Sequence, residues 1–324
     1  MDKALRKDKQ YALMIKAAGI FIIALTISIG VFLLIKGTGT FVQGKHSIFE
    51  FLFSSNWNPT DSASNPSGGE VGAAVYIFGS ILTCFLALLL ALPFSVGLAI
   101  FMSEIVPQIS NKYIRPAVEI YVGIPSVVYG WIGLTVLVPF IKTTFHAKMG
   151  GFSVLAAAIV LAVMIFPTIT TVATDAIQSV PHDYREAALG LGSTRFQTIS
   201  KVVLPAAKKG IFVGVILGLA RAFGEALAVA MVIGKTRAFP KSLLYPTSNL
   251  TAAIAADMGN TADGGEHNLA LWSMALLLFL ISMFLIFLIH KLGNEKKESK
   301  HDHKRRKILM QKLKTVYGDK KDED

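Results

Sequence analysis

The chain has 324 residues and a formal net charge of +11, with only 16% charged residues against 53% hydrophobic ones. A soluble domain carries about a quarter charged residues, so this composition argues against an ordinary soluble protein. Lys and Arg crowd residues 1–16, 175–209 and 291–324, beside long segments without charge. This placement indicates membrane topology rather than nucleic-acid binding.

Six apolar segments reach or exceed the roughly 20 residues that a helix needs to cross a membrane. The first is long for the apolar part of a signal peptide and no small-x-small cleavage site follows it, so we expect it to be retained. The runs are apolar throughout and too long for the strands of a membrane barrel. The sequence therefore predicts an all-α, polytopic membrane protein with six transmembrane helices. They are 17–35, 71–101, 117–141, 152–174, 210–234 and 269–290.

The distribution of Lys and Arg predicts the orientation of these helices. The two termini and every second loop hold 24 of these residues, whereas the remaining loops hold 7. The positive-inside rule then places both termini in the cytoplasm. The outer connections at 54–69 and 259–268 are rich in turn formers and predict irregular structure. The predicted order is a cytoplasmic segment (1–16), a first helix (17–35), an external loop (36–70), a helical core (71–290) and a charged cytoplasmic tail (291–324).

Residues 181–205, on the predicted cytoplasmic side, have the pattern of a helix–turn–helix. Gly192 permits a sharp turn, and Thr194 and Gln197 have the spacing of a capping box at the start of a second helix. Pro205 is expected to prevent that helix from continuing. Two short helices that project from a membrane have a shape suited to docking in a groove of another protein.

This stretch resembles the cytoplasmic signature of importer permeases of the ABC type, in which an EAA triplet precedes a glycine and a final Leu-Pro. In that family the loop docks into a cleft of an ATPase subunit, so we call residues 181–205 the coupling loop. The resemblance implies that Glu186, Ala187 and Gly192 dock. The matching residues are Glu186, Ala187, Ala188, Gly192, Leu204 and Pro205, with Val202 in place of the signature isoleucine.

The fifth apolar segment combines small residues with two charges. Gly210, Gly214 and Gly218 recur every four residues and give a smooth face for close helix packing. Arg221 and Glu225 follow. An arginine within a membrane normally faces a partner or an aqueous path, and its planar fork of donors matches an oxyanion. A structural ion pair between Arg221 and Glu225 is an equally good interpretation on physical grounds.

The run 221–225 resembles the RAxGE segment of phosphate-specific permeases of the PstC type, which are type I permeases of binding-protein-dependent importers. The segments 57–59, 123–130 and 250–254 agree with it, and the resemblance covers roughly residues 50–290. It implies that Arg221 and Glu225 act in the transport of inorganic phosphate. Glu225 would pair with Arg221 when the path is empty.

The resemblance also implies the assembly: a PstA-type permease homologue, two ATPase subunits that hold ATP and Mg, and an external phosphate-binding protein, within the lipid of a bacterial cytoplasmic membrane. We expect this chain to have no catalytic residue, cofactor, metal or nucleic acid. The run 234–236 looks like the end of a P-loop, but Val229 replaces the required glycine. Alternatives are another oxyanion such as molybdate, sulfate or a phosphonate, an ion-driven secondary transporter or channel, and a structural or signalling membrane protein.

Overall fold

A computed structural model of the chain describes residues 2–59, 69–147 and 149–293. Most of the tail predicted at 291–324 lies outside the described residues. Within the described part, six helical segments are long and apolar enough to span a membrane, which confirms the predicted all-α fold. From first to sixth, the spans are Tyr11–Val42, Ala74–Ile105, Ser126–Thr144, Val154–Gln178, Arg195–Gly224 and Glu266–Lys291.

Some helices depart from the predicted boundaries. The first begins at Asp2 and so includes the segment predicted as a separate N-terminal region. The strands are Trp57–Asn58 and Glu70–Val71. The α-helices are Asp2–Gly37, Gly39–Val42, Ile48–Phe53, Ala74–Ile100, Pro107–Ile109, Arg115–Val122, Ser126–Ile132, Val138–Thr144, Val154–Gln178, His182–Gly190, Arg195–Thr198, Leu204–Gly224, Leu227–Val232, Leu250–Asp257 and Glu266–Gly293. Four π-helical turns occupy Phe101–Ile105, Ser110–Ile114, Gly133–Leu137 and Ile199–Val203, and a 3-10 turn occupies Met258–Asn260.

Three of the π-helical turns lie immediately before a helix whose second residue is a proline: Pro116, Pro139 or Pro205. A proline inside a helix lacks an N–H and its ring clashes with an earlier carbonyl, and the wider π turn provides space for the ring. The prediction that Pro205 ends a helix was therefore wrong. The helical segment runs without interruption from Arg195 to Gly224.

The fourth span is the centre of the bundle, because the second and fifth spans both pack along it. The sixth span packs against the fifth, and the first packs against the sixth. The apolar window of the fourth span is 67% buried, whereas that of the first span is 6% buried. The first span therefore lies at the periphery of this chain, with most of its apolar surface available to lipid or to other proteins.

Two predicted spans are interrupted. The third was predicted at 117–141, but the helix Arg115–Val122 ends before Pro125 and the span itself begins at Ser126. The fifth was predicted at 210–234, but its helix ends at Gly224 and the short helix Leu227–Val232 follows. Broken helices are tolerated within a membrane where neighbouring protein satisfies the freed backbone groups.

The two ends of the bundle differ. At the end that carries the coupling loop, a small core that includes Ala99, Ala173 and Val203 joins the second, fourth and fifth spans. We call the opposite end the far end, and define it by the two strands and the helix Leu250–Asp257. Its strands pair antiparallel, with Trp57 opposite Val71, so residues 57–58 of the connection predicted to be irregular form a strand. The last helix already begins at Glu266, within the connection predicted at 259–268.

Glycines bring the fifth span into close contact with the fourth. A Cβ atom added at any of the three positions would meet a side chain of the fourth span. The distances are 2.5 Å from Gly210 to Ala176 Cβ, 3.2 Å from Gly214 to Val172 Cβ, and 2.6 Å from Gly218 to Ile169 Cγ1. A glycine at each position thus allows a close approach of the two helix axes, as in small-residue interfaces of membrane helices.

We expect Gly218→Ala to lower the thermal stability of the purified protein in detergent. The added methyl lies too close to Ile169, and overpacking of this kind costs about 1–3 kcal/mol. Gly97→Ala is the matched control, because a Cβ on this glycine of the second span meets nothing within 4 Å. Equal melting temperatures for the two variants would contradict the packing assigned to Gly218.

Candidate functional site

The fifth span ends at a break that determines where the two charges of 221–225 lie. Glu225 has an extended backbone, with φ of −78° and ψ of 119°, and does not continue the helix. Its Oε1 accepts a hydrogen bond from the Ala228 backbone N–H at 3.2 Å. Its backbone carbonyl accepts one from the Thr251 hydroxyl at 2.8 Å. The carboxylate and the backbone carbonyl of Glu225 therefore both stabilise the break.

Arg221 lies one turn before the break, and its half-buried side chain points towards the fourth span. Its Nη1 donates a hydrogen bond to Thr168 Oγ1 at 2.8 Å. Thr168 follows Pro167, which lies inside the fourth span. Within the described residues Arg221 forms no salt bridge, so the ion pair expected with Glu225 is not present in this structure.

Two tyrosines on either side of the interruption at Pro125 contact each other, and Tyr129 of the third span lies near Arg221. Tyr129 lies close enough to interact electrostatically with the guanidinium. The Tyr129 hydroxyl donates to the Tyr121 carbonyl at 2.9 Å, and the two rings meet edge to face at 5.5 Å. This hydrogen bond bridges the interruption at Pro125. The third span is also in close contact with the helix Leu227–Val232, since a Cβ at Gly130 would lie 2.8 Å from Ala228 Cα.

These elements form a site in which one positive charge has no salt bridge to any residue that the structure describes. A charge in a membrane-spanning segment is costly unless it meets an opposite charge, a polar group or water. Here the partner of Arg221 is a neutral hydroxyl, and two helix breaks bring further backbone polar groups into the same part of the bundle. The other donors of this guanidinium pair with no described residue, and charge-assisted hydrogen bonds to a small anion are the chemistry that such donors offer.

The coupling loop has the predicted helix–turn–helix form. Its first helix is His182–Gly190, and Gly192 has a left-handed φ of 82° in the turn. The second helix begins with a complete capping box, in which Thr194 and Gln197 exchange hydrogen bonds between side chain and backbone. Because both turn and cap are local, the shape of this loop is largely set by its own sequence.

A buried ion pair fixes the coupling loop to the bundle. Arg185 Nη2 lies 2.6 Å from Glu104 Oε1, and the two side chains are only 15% and 11% exposed. The same guanidinium donates to the carbonyls of Val180 at 2.6 Å and Ile177 at 3.0 Å. The first helix of the loop is thus attached to the second and fourth spans. The sequence analysis missed both members of this pair, which are 81 residues apart.

The signature residues of the coupling loop differ in exposure. Glu186 and Ala187 are exposed, whereas Ala188 is buried and packs within the chain. The exposed tip also presents two large apolar side chains that the sequence analysis did not single out, Leu191 at 90% exposure and Phe196 at 78%. Apolar residues in a polar loop are the signal that was available for them.

In the described ranges 2–59, 69–147 and 149–293, no three His, Cys, Asp or Glu side chains come together as a metal site would require.

Comparison with known proteins identifies the family. The family described as "Binding-protein-dependent transport system inner membrane component" matches residues 95–297 of this chain. That range contains the coupling loop, both helix breaks and Arg221. It begins within the second span, so the first span and the strands at the far end lie outside the matched region.

Individual relatives agree with the family. A Bacillus subtilis protein named "Probable ABC transporter permease protein YqgH" is 47% identical over 285 residues, which cover 88% of this chain and 90% of the relative. The phosphate transport system permease protein PstC of Mesorhizobium japonicum is 36% identical over 74% of this chain and 76% of its own length. The protein of the same name from Xylella fastidiosa strain 9a5c is 32% identical over 89% of this chain and 90% of its own length.

A solved structure supports the fold. A chain of a bacterial alginate ABC transporter, crystallised in complex with an alginate-bound periplasmic protein, superimposes with a TM-score of 0.60 at 15% sequence identity. The match covers 90% of this chain and 96% of that one. The chain belongs to the family of binding-protein-dependent transport system inner membrane components, and it is a multi-pass permease of an ABC importer.

Proposed function

We propose that this permease forms one half of a pathway that carries inorganic phosphate across a bacterial cytoplasmic membrane. The observation that carries the proposal is Arg221, a half-buried cation of the fifth span whose hydrogen-bond partner is the neutral Thr168 hydroxyl. A guanidinium presents a planar fork of donors matched to phosphate oxygens. The relatives named PstC, which are phosphate transport permeases, favour phosphate over other oxyanions.

In this proposal Arg221 holds the anion briefly, and release is favoured because Arg221 is a single charge. A transport pathway needs binding strong enough for entry and weak enough for exit. Glu225 does not neutralise Arg221 in this structure, because its carboxylate caps the backbone N–H of Ala228. When the anion leaves, the Glu225 carboxylate, four residues after Arg221, would exchange this cap for a pair with Arg221.

Coupling to ATP hydrolysis would pass through the fifth span. The segment Arg195–Gly224 is a continuous helical rod of 30 residues that begins in the coupling loop and ends three residues after Arg221. At 1.5 Å per residue such a rod is about 45 Å long. A displacement of the loop by an ATPase subunit would therefore move the site without any hinge in between. Arg185 would transmit the same displacement to the second span through Glu104 and to the fourth span through the Ile177 carbonyl.

The proposed assembly contains a PstA-type permease homologue, two ATPase subunits with ATP and Mg, and an external phosphate-binding protein. The exposed Glu186 and Ala187, with Leu191 and Phe196 at the tip, form the surface that would enter the ATPase cleft. Gly192 would dock with them. The excess of Lys and Arg beside the coupling loop supports an orientation with both termini and this loop in the cytoplasm. The far end then faces the binding protein.

We expect Arg221→Ala to reduce phosphate uptake by about tenfold or more, because a charge-assisted hydrogen bond to the cargo is lost. Arg221→Lys should give intermediate uptake, since it keeps the charge but loses the planar fork. Uptake of radiolabelled phosphate by cells that depend on this importer measures both, with immunoblots of the assembled complex for normalisation.

Thr168→Val is the matched control, because it removes the neutral partner of Arg221 and preserves the shape and charge of the site. It should retain uptake within about threefold of the unmodified protein. Near-normal uptake by the Arg221→Ala transporter would contradict a role of Arg221 in anion contact. If sulfate or molybdate inhibited the unmodified transporter as strongly as unlabelled phosphate does, phosphate would not be the preferred cargo.

We expect Glu186→Lys to abolish coupling between ATP hydrolysis and uptake. A charge reversal on the exposed face of the first loop helix opposes docking without disturbing the chain's own core. ATPase activity and phosphate uptake are measured on the same reconstituted complex. Glu119→Lys, which reverses one charge of an exposed ion pair with Arg115 outside the coupling loop, serves as the control, since such pairs contribute little stability. Normal uptake per ATP hydrolysed in the Glu186→Lys complex would refute the docking assignment.

A further inference from the structure

A small polar cavity lies at the far end, away from Arg221. Its volume is about 50 Å³, and its polar lining consists of Tyr76, Lys235, Arg237, Ser248 and Asp257. A cavity needs roughly 10–15 Å³ of such volume for each water, so this one accommodates about three to five waters. That is the size of a tetrahedral oxyanion and too small for a nucleotide.

Tyr76 lines this cavity and carries a buried hydroxyl. Its side chain is 1% exposed, and its hydroxyl has no hydrogen-bond partner among the residues that the structure describes. An edge-to-face contact with Trp57, at 5.2 Å between ring centroids, holds the ring in place. A buried hydroxyl in a folded protein normally has a partner, so this one indicates a ligand or water in the cavity.

Two cations line the same cavity and differ in their pairing. Arg237 Nη2 lies 3.1 Å from Asp257 Oδ2, so this guanidinium is oriented and partly neutralised. Lys235 forms no salt bridge within the described part of the chain. The cavity therefore has a net positive lining, with one cation free to meet an anion.

The backbone at Lys235 is held in an unusual conformation. Its φ is 51°, and it follows Gly234 with a φ of 95°. A non-glycine residue in the left-handed region is uncommon and persists only where its surroundings enforce it. Here the backbone N–H groups of Thr236 and Thr247 donate to the carbonyls of Thr247 and Ile233, both at 3.2 Å, and fasten the segment on either side of Lys235.

Lys235 also lines a second, larger cavity of about 260 Å³. This cavity runs along the short helix Leu227–Val232 and is lined by Leu227 at the other end of that helix. A helix of 6 residues is about 9 Å long. Apart from Lys235 its lining is apolar, and Leu227 is two residues after Glu225 in the sequence.

We propose that Tyr76, Lys235, Arg237 and Ser248 form an entry site for a small oxyanion at the far end, from which the anion passes on to Arg221. This inference rests on the proposed function, which places the far end outside. Asp257 orients Arg237 and limits the net charge of the site, so that the anion is released onward. The run Gly234-Lys235-Thr236 thus carries an anion-binding lysine without being a nucleotide-binding loop.

The test measures how many phosphate ions are transported for each ATP hydrolysed by the complete importer in proteoliposomes, with its binding protein and radiolabelled inorganic phosphate. Lys235→Gln and Tyr76→Phe should each lower this ratio about fivefold or more, because each removes a hydrogen bond to the anion. ATPase activity stimulated by the binding protein should stay unchanged. Lys241→Gln, a neighbouring exposed lysine outside both cavities, should leave the ratio unchanged.

Tyr76→Phe makes the test specific. The Tyr76 hydroxyl has no partner within the described chain, so its removal breaks no internal hydrogen bond and a purely structural role predicts a normal ratio. If Lys235→Gln and Tyr76→Phe both transported as much phosphate per ATP as Lys241→Gln, the proposed entry site would be wrong. Absence of phosphate uptake by the unmodified importer would instead overturn the proposed function on which it rests.

A lipid headgroup offers the same phosphate chemistry as free phosphate, and the membrane composition separates the two. The effect of Lys235→Gln should be equal in vesicles of phosphatidylcholine alone and in vesicles that contain phosphatidylglycerol. A loss seen only with phosphatidylglycerol would overturn the proposal, because the cations would then bind an anionic lipid rather than the cargo.

Discussion

The charge of Arg221 has to be accommodated inside a bundle that spans a membrane, and the structure around it follows from that requirement. A charged side chain at this depth is costly unless polar groups or water reach it. The chain brings polar groups there by interrupting two spans, before Pro125 and at Glu225, and by placing Thr168 within 2.8 Å of the guanidinium. Among the described residues this charge has no carboxylate partner, which costs stability but leaves the cation free for the anion that we propose it binds.

The remaining structure connects this site rigidly to the loop at one end. Glycines let the fifth span lie directly against the fourth, and the π-helical turn before Pro205 keeps the helix continuous from the coupling loop to Gly224. Arg185 fixes the loop to the second span through Glu104 and to the fourth span through the Ile177 carbonyl. Because these contacts are close-packed or buried, the loop and the site form one unit, as a mechanical link between ATPase and pathway requires.

Hydropathy was sufficient to predict six spans, and the local signals of Gly192, Thr194 and Gln197 were sufficient to predict the form of the coupling loop. Whether a helix continues or breaks was not predictable in the same way, since it depends on how neighbouring residues satisfy the hydrogen-bonding groups of the backbone. Pro205 lies in a continuous segment, whereas the fifth span breaks at Glu225, which no proline marks. Residues that act through distant contacts were also missed: Thr168 meets Arg221 across 53 positions. Such partners are defined by packing rather than by local pattern.

Phosphate is the cargo that we propose for this importer. Uptake of radiolabelled phosphate by cells with and without this chain, at limiting phosphate, tests that assignment directly. The cells must lack other high-affinity phosphate systems, and excess sulfate and molybdate serve as competitors. If phosphate is the cargo, cells without the chain lose phosphate uptake. In cells with the chain, neither sulfate nor molybdate lowers phosphate uptake. Unchanged phosphate uptake in its absence would contradict phosphate as the cargo, while the family membership of the chain would stand.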